Sequence, residues 1–120
     1  MSARDEVEAA RASLREELRS VDRRIAALTA EFDQIVEGSE SVNTDDEHDP
    51  EGATIAFERA QVASLRDSVT RRRAAIVRAL AEVEDGTYGR CAACGGSIGQ
   101  ERLDAVPGTD RCAACARAGR

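Results

Sequence analysis

Apolar side chains recur at Leu14, Leu18, Val21, Ile25, Leu28, Phe32 and Ile35 in alternating steps of four and three. That is the heptad spacing of a helix that turns one narrow stripe toward a partner helix. Val7 extends the stripe at its start. A second stripe, Ile55, Val62, Val69, Ile76 and Val83, advances in steps of seven, with Leu65 and Ala79 at intermediate positions. In an antiparallel pair, facing residues have numbers that add to a constant. Ile35 with Ile55, Leu28 with Val62, Ile25 with Leu65, Val21 with Val69, Leu14 with Ile76 and Val7 with Val83 all share one total. A single register therefore satisfies nearly the whole seam. The exceptions place Phe32 opposite Glu58 and Leu18 opposite Arg72, where a long stem can lie on the seam while its charged end reaches water.

Local chemistry marks the ends of both helices. Ser2 followed by Asp5 starts the first, and Gly38, free to adopt the left-handed conformation, is expected to close it. Asp49 can cap the second, Pro50 fits its first helical position because it lacks an N–H, and Gly86 ends it. Each helix then has roughly 35 residues and a length of about 50 Å. The expected fold is mainly α: a long antiparallel coiled-coil hairpin over residues 1–85, with its tip at about 38–52, followed by a small module over 86–120.

The tip carries the sequence T-D-D-E-H-D-P-E-G, from Thr44 to Gly52. No basic residue occurs between Arg24 and Arg59, while Glu31, Asp33, Glu37, Glu40, Asp45, Asp46, Glu47, Asp49, Glu51 and Glu58 lie there. The net charge of -6 thus conceals a sorted molecule, because the rest of the chain holds all 17 basic residues, every one an arginine, and is net positive. A calcium loop does not fit, since its sixth position needs a glycine that Asp45 to Pro50 does not provide. Apolar runs are too short for a membrane span, and M-S-A-R-D-E-V-E lacks the basic and apolar regions of a secretory signal, so a cytoplasmic protein is expected.

The module at 86–120 contains C-A-A-C at Cys91 and Cys94 and again at Cys112 and Cys115, with 17 intervening residues. Four thiolates so spaced can close a tetrahedron around one structural zinc ion. Disulfides are the weaker reading in a cytosolic protein, and four cysteine ligands leave no position open for water. No nucleophile, base and orienting group occur together, so an enzyme is not expected.

Y-G-R-C-A-A-C-G from Tyr88, then Ile98, Arg102-Leu103, Ala105 and Pro107, then the second C-A-A-C, resembles the zinc-finger signature of the DksA/TraR family of bacterial transcription regulators. The resemblance covers about the last 35 residues. It implies a factor that binds RNA polymerase directly, with the coiled coil in the enzyme's secondary channel, acidic tip residues near the active centre and no sequence-specific DNA binding. The family's tip motif, Asp-x-x-Asp-x-Ala, has two partial equivalents here. His48-x-x-Glu51-x-Ala53 keeps the alanine, and Asp46-x-x-Asp49-x-Glu51 keeps both aspartates. Asp45, Asp46, Asp49, Glu51 and Ala53 are thus the tip residues that the resemblance points to. The chain ends five residues after Cys115, without the C-terminal helix of longer members, which makes dependence on the alarmone ppGpp doubtful.

Two other classes compete with this reading. A zinc-anchored coiled-coil adaptor would use the hairpin as a spacer between protein partners. A zinc-finger nucleic-acid binder is disfavoured by the negative charge and the lack of stacking aromatics. A local basic cluster on the second helix, Arg71, Arg72 and Arg73, is expected to meet an acidic protein surface or the first helix's own glutamates.

Overall fold

The computed structural model describes residues 2–41 and 50–120, with the backbone alone at 39–41 and at 50–51. The chain forms α1 (Ala3–Ser41), α2 (Pro50–Asp85), α3 (Gln100–Ala105) and α4 (Ala113–Arg117). Among the described residues the one β pairing is an isolated antiparallel bridge between Arg90 and Ser97. The architecture is a helical hairpin with a C-terminal four-cysteine module.

Reciprocal bonds start α1. The Asp5 amide donates to Ser2 Oγ at 3.2 Å and the Ser2 amide donates to Asp5 Oδ2 at 3.3 Å, so each side chain satisfies a backbone donor of the other. Pro50 is the first residue of α2, where its missing N–H leaves no carbonyl without a partner. At the other end, Gly86 has φ +77°, its amide donates to Val83 O at 3.3 Å, and the Thr87 amide reaches Glu82 O at 2.9 Å. This paired closure consumes two orphan carbonyls, and the positive φ favours glycine at the first residue beyond the helix.

Gly38 does not end α1, which runs three residues further to Ser41. It is absent from the positive-φ glycines. A glycine inside a helix costs about 1 kcal/mol relative to alanine, too little to break a helix whose neighbours Ile35 and Val36 are half-buried.

The chain divides into two compact units. One comprises Met1–Ser20 with Arg72–Arg120. Here Leu14, Ile76, Ala79 and Val83 are buried, at the positions where the shared register places them. Arg11 Nε lies 2.7 Å from Glu84 Oε1, and Arg72 Nη2 lies 3.0 Å from Glu17 Oε1. Rising numbers on α1 meet falling numbers on α2, so the two helices run antiparallel. Arg72, opposite the half-buried Leu18, places its stem on the seam and its guanidinium on a glutamate of α1.

The second unit is Val21–Arg71, with Val21, Leu28 and Val62 buried and Ile25, Ile35, Ile55 and Val69 half-buried. The Arg66 guanidinium sits 5.0 Å from the centroid of the Phe32 ring, covering an aromatic that faces no apolar partner in the register.

Two seam positions depart from the expected core. Val7 is 37% exposed and Leu65 is 43% exposed. An α-helix drifts by about 20° per heptad relative to a strict seven-residue repeat, so a seam long enough for five heptads cannot stay centred without supercoiling. The intermediate positions of α2 also include Glu58 and Arg72, and Leu65 between them has no continuous apolar row to join.

Replacing Leu28 or Val62 by aspartate is expected to lower stability by at least about 3 kcal/mol, because an unpaired carboxylate enters the buried seam. Leu65→Ala is expected to cost less than about 1 kcal/mol. Urea unfolding followed by circular dichroism separates the two classes, and equal losses at Leu65 and Leu28 would refute the seam.

Candidate metal centre

The first cysteine pair lies in a short hairpin between Gly89 and Ile98. The Cys91 amide donates to Gly96 O at 2.7 Å, the Gly95 amide returns to Cys91 O at 2.8 Å, and the Ile98 amide reaches Gly89 O at 2.8 Å. Gly95 turns the chain at φ +76°, which an L side chain rarely adopts. The Gly96 amide then points at Cys94 Sγ, 3.4 Å away.

The second pair straddles the start of α4. Cys112 precedes that helix and its sulfur accepts from the Cys115 amide at 3.4 Å, the bond a capping side chain makes. One backbone bond, from the Ala92 amide to Asp110 O at 2.8 Å, ties the two segments together. Cys91, Ile98 and Cys115 are buried, and Leu103 and Cys112 pack against them.

All four sulfurs lie within 4.8 Å of one another, and Cys94 Sγ is 3.9 Å from Cys112 Sγ. A tetrahedron with zinc–sulfur bonds of about 2.3 Å has edges of about 3.8 Å. The same separation is nearly twice the length of a disulfide, and all four cysteines are free thiols. Donor type, number and spacing therefore fit one zinc ion. The four thiols differ in how readily they ionise. Backbone amides, first that of Cys112 and then that of Cys94, favour the Cys91 thiolate and bring its pKa down to about 6. Cys112 is lowered too, chiefly by the Cys115 amide. The Cys112 sulfur, followed by burial, pushes Cys115 up to about 12. Successive negative charges on adjacent sulfurs oppose one another, and a bound cation removes that opposition.

The module is seated on α2 through the turn Val106-Pro107-Gly108-Thr109. The Thr109 amide closes it onto Val106 O at 3.1 Å, and Gly108 takes φ +84° at the position where a type II turn requires a positive value. Gly108 is buried, and a Cβ built there would stand 3.4 Å from Ile76 Cα and 3.5 Å from Ala75 O. Its amide donates to the Tyr88 hydroxyl at 3.1 Å, and its carbonyl accepts from Arg78 Nη2 at 2.9 Å. Arg78 also meets Glu82 at 3.4 Å and Asp110 at 3.8 Å. Arg102 Nε donates to Arg111 O at 2.9 Å, bracing the residue before Cys112.

The structure thus brings Cys91, Cys94, Cys112 and Cys115 together. Asp45, Asp46 and Asp49, with His48, lie outside the described residues, as does the side chain of Glu51. Ala53 is exposed on α2. Sequence reading missed the docking roles of Gly108 and Arg78. The Pro107-Gly108 dipeptide signals a turn, but nothing local reveals that its backbone presses on a helix some 30 positions earlier. Among the described residues, no helix is long and apolar enough to cross a membrane.

Comparison with known proteins finds likeness to a family model, a relative and a solved structure. The model of the prokaryotic dksA/traR C4-type zinc finger matches residues 86–118. An uncharacterized protein of Aquifex aeolicus (strain VF5) is 43% identical over 56 residues, which is 47% of this chain. The matched stretch spans about a third of that relative, 33% of its length. The solved structure of transcription factor DksA2 from Pseudomonas aeruginosa superposes with a TM-score of 0.78, covering 98% of this chain and 84% of that one, at 19% identity. The last likeness is one of fold.

One zinc per chain is expected by native mass spectrometry, lost when serine replaces any two of the four cysteines. Protons compete with metal for each sulfur, so zinc affinity should fall as pH is lowered. At neutral pH zinc uptake should expel the proton that Cys115 holds up to about 12, read as buffer-dependent heat in calorimetry. Uptake at neutral pH without proton release would contradict this. Gly108→Ala should retain zinc yet melt lower by several degrees, because both the positive φ and the Ile76 contact resist a side chain.

Proposed function

We propose that this chain, whose residues 86–118 belong to the prokaryotic dksA/traR C4-type zinc-finger family, is a transcription regulator that acts on RNA polymerase directly. The observation that carries the reading is a conjunction within one chain. A finger of this family is joined to helices of 39 and 36 residues, and an acid-rich segment connects those helices. The likeness in fold to the transcription factor DksA2 of Pseudomonas aeruginosa supports it.

In this reading the chain works as two parts. Residues 1–85 form the arm, and residues 86–120 form the finger, in which Cys91, Cys94, Cys112 and Cys115 hold one structural zinc. When bound, that ion joins the two cysteine segments and fixes the seat of the Val106–Thr109 turn on α2. The arm enters the polymerase's secondary channel. Asp45, Asp46, Asp49 and Glu51, next to Ala53, then carry negative charge toward a centre that works with magnesium ions. Charge of one sign at the end of an arm favours approach to a cationic site and is screened by salt. The finger contributes placement, without reading DNA sequence. The protein would act in the cytoplasm, where the polymerase is.

Binding and effect should separate on mutation. Asp45→Asn, Asp46→Asn and Glu51→Gln combined are expected to leave helicity, zinc content and polymerase affinity near wild type, while abolishing or strongly changing promoter-selective transcription with purified components. Asp49 stays untouched, because the sequence makes it the expected cap of the second helix, and loss of a cap costs about 1 kcal/mol and would mix stability with function. If wild-type protein binds no core enzyme at low salt, the regulator reading fails, and a coiled-coil adaptor for other proteins takes its place.

A further inference from the structure

A groove of about 750 Å³ opens in the unit that holds the finger, between the start of α1 and the segment from Gly86 to Pro107. Its apolar wall is formed by Val7, Leu14, Val83, Tyr88, Leu103 and Pro107. Val7 is a seam residue by sequence, facing Val83, yet it remains 37% exposed while Val83 is only 5% exposed. The heptad pattern thus supplies an apolar side chain at this point, and the helix pair covers only one of its two faces. Isolated surface valines need no explanation, but one that forms the wall of a concave apolar site differs from a scattered one.

The charges of the groove identify what can enter. Glu6 and Asp104 contribute carboxylates to its lining, and none of the lining residues is basic. Both acids are exposed. Asp104 accepts a bond from Gln100 Nε2 at 2.7 Å, which orients the carboxylate and leaves its charge uncompensated. An anionic ligand would be repelled. An apolar side chain flanked by lysine or arginine would bury its body against Val7 and Leu103 and place its cationic neighbours on the two carboxylates. Such an arrangement, an apolar anchor in a pocket with complementary charge at the rim, is how docking surfaces gain both affinity and specificity.

We infer that this groove is a second docking surface, receiving a segment of RNA polymerase in which apolar residues are flanked by lysine or arginine. The inference rests on the reading that the chain binds polymerase. It adds a contact beside the finger that is independent of the acidic tip and sets affinity where the tip sets effect. The two acids lie on different elements, α1 and α3, so the groove exists in this form only while the finger is seated.

The test uses full-length zinc-loaded protein and purified core polymerase. Glu6→Lys combined with Asp104→Lys changes exposed positions only, so zinc content and melting temperature should stay at wild-type values. Affinity for core enzyme should fall by about tenfold or more, as expected when complementary charge at a docked anchor is reversed. In parallel, a photo-crosslinking phenylalanine analogue at Val7 should couple to the polymerase, and peptide mapping should place the adduct in a segment with apolar residues beside lysine or arginine. The same analogue at the exposed Ala53 serves as the tip control. Wild-type binding with an unchanged affinity of the double variant would overturn the groove and leave the polymerase reading intact. So would a Val7 adduct on an acidic segment or on a second copy of this chain. If wild-type protein binds no core enzyme and neither position couples, both readings fall together.

Discussion

Four sulfurs gathered within 4.8 Å of one another are the constraint on which the finger depends. Deprotonated together they repel, and a proton shared with Cys112, together with burial, holds Cys115 up to about 12. The surrounding apolar core is small: Cys91, Ile98 and Cys115 are buried, with Leu103 and Cys112 against them. Three of these five residues are the cysteines themselves. Burial on that scale cannot offset the entropy of ordering some 35 residues, and a divalent cation that converts four repulsive groups into four bonds supplies what the core lacks.

What the finger gains from the metal it passes on through one turn. Gly108 brings backbone against backbone at Ile76, and Arg78 closes over the Gly108 carbonyl while reaching Asp110, two residues before Cys112. Asp110 also accepts from Ala92, inside the first cysteine pair. The chain from sulfur ligands to helix surface is therefore short, with backbone against backbone at Gly108 and one guanidinium bracing it, and it tolerates little displacement. Ile76, on which the turn rests, is itself fully buried and pairs in register with Leu14. The seat and the helix seam thus share a residue, so packing of the finger and packing of α1 on α2 in this unit support each other.

The helices were legible because their signals are local and repeated. The heptad spacing located the buried Leu14, Val21, Leu28, Val62, Ile76 and Val83, and Pro50 and Gly86 marked the bounds of α2 through their own backbone restrictions. Gly38 was misleading because glycine permits a helix end without enforcing one. Val7 and Leu65 were misleading for another reason. A repeat in sequence states which residues share a stripe, but the width of contact at each level depends on helix drift and on what lies opposite. Arg66 over Phe32 shows a long cation covering the aromatic that the register had left opposite a glutamate.

The spacing of the cysteines, the bounds of the second helix, the antiparallel register and the sorting of charge were determined by the sequence alone, because each follows from geometry acting over a few residues or from a simple repeat. Tertiary structure decided the rest: the convergence of the two C-A-A-C pairs, the burial of Gly108 against Ile76, the multiple bonds of Arg78, and the groove that leaves Val7 exposed between Glu6 and Asp104. These features join residues tens of positions apart through contacts whose free energy depends on distance and exclusion of water. No one-dimensional pattern contains those quantities until the chain has closed on itself.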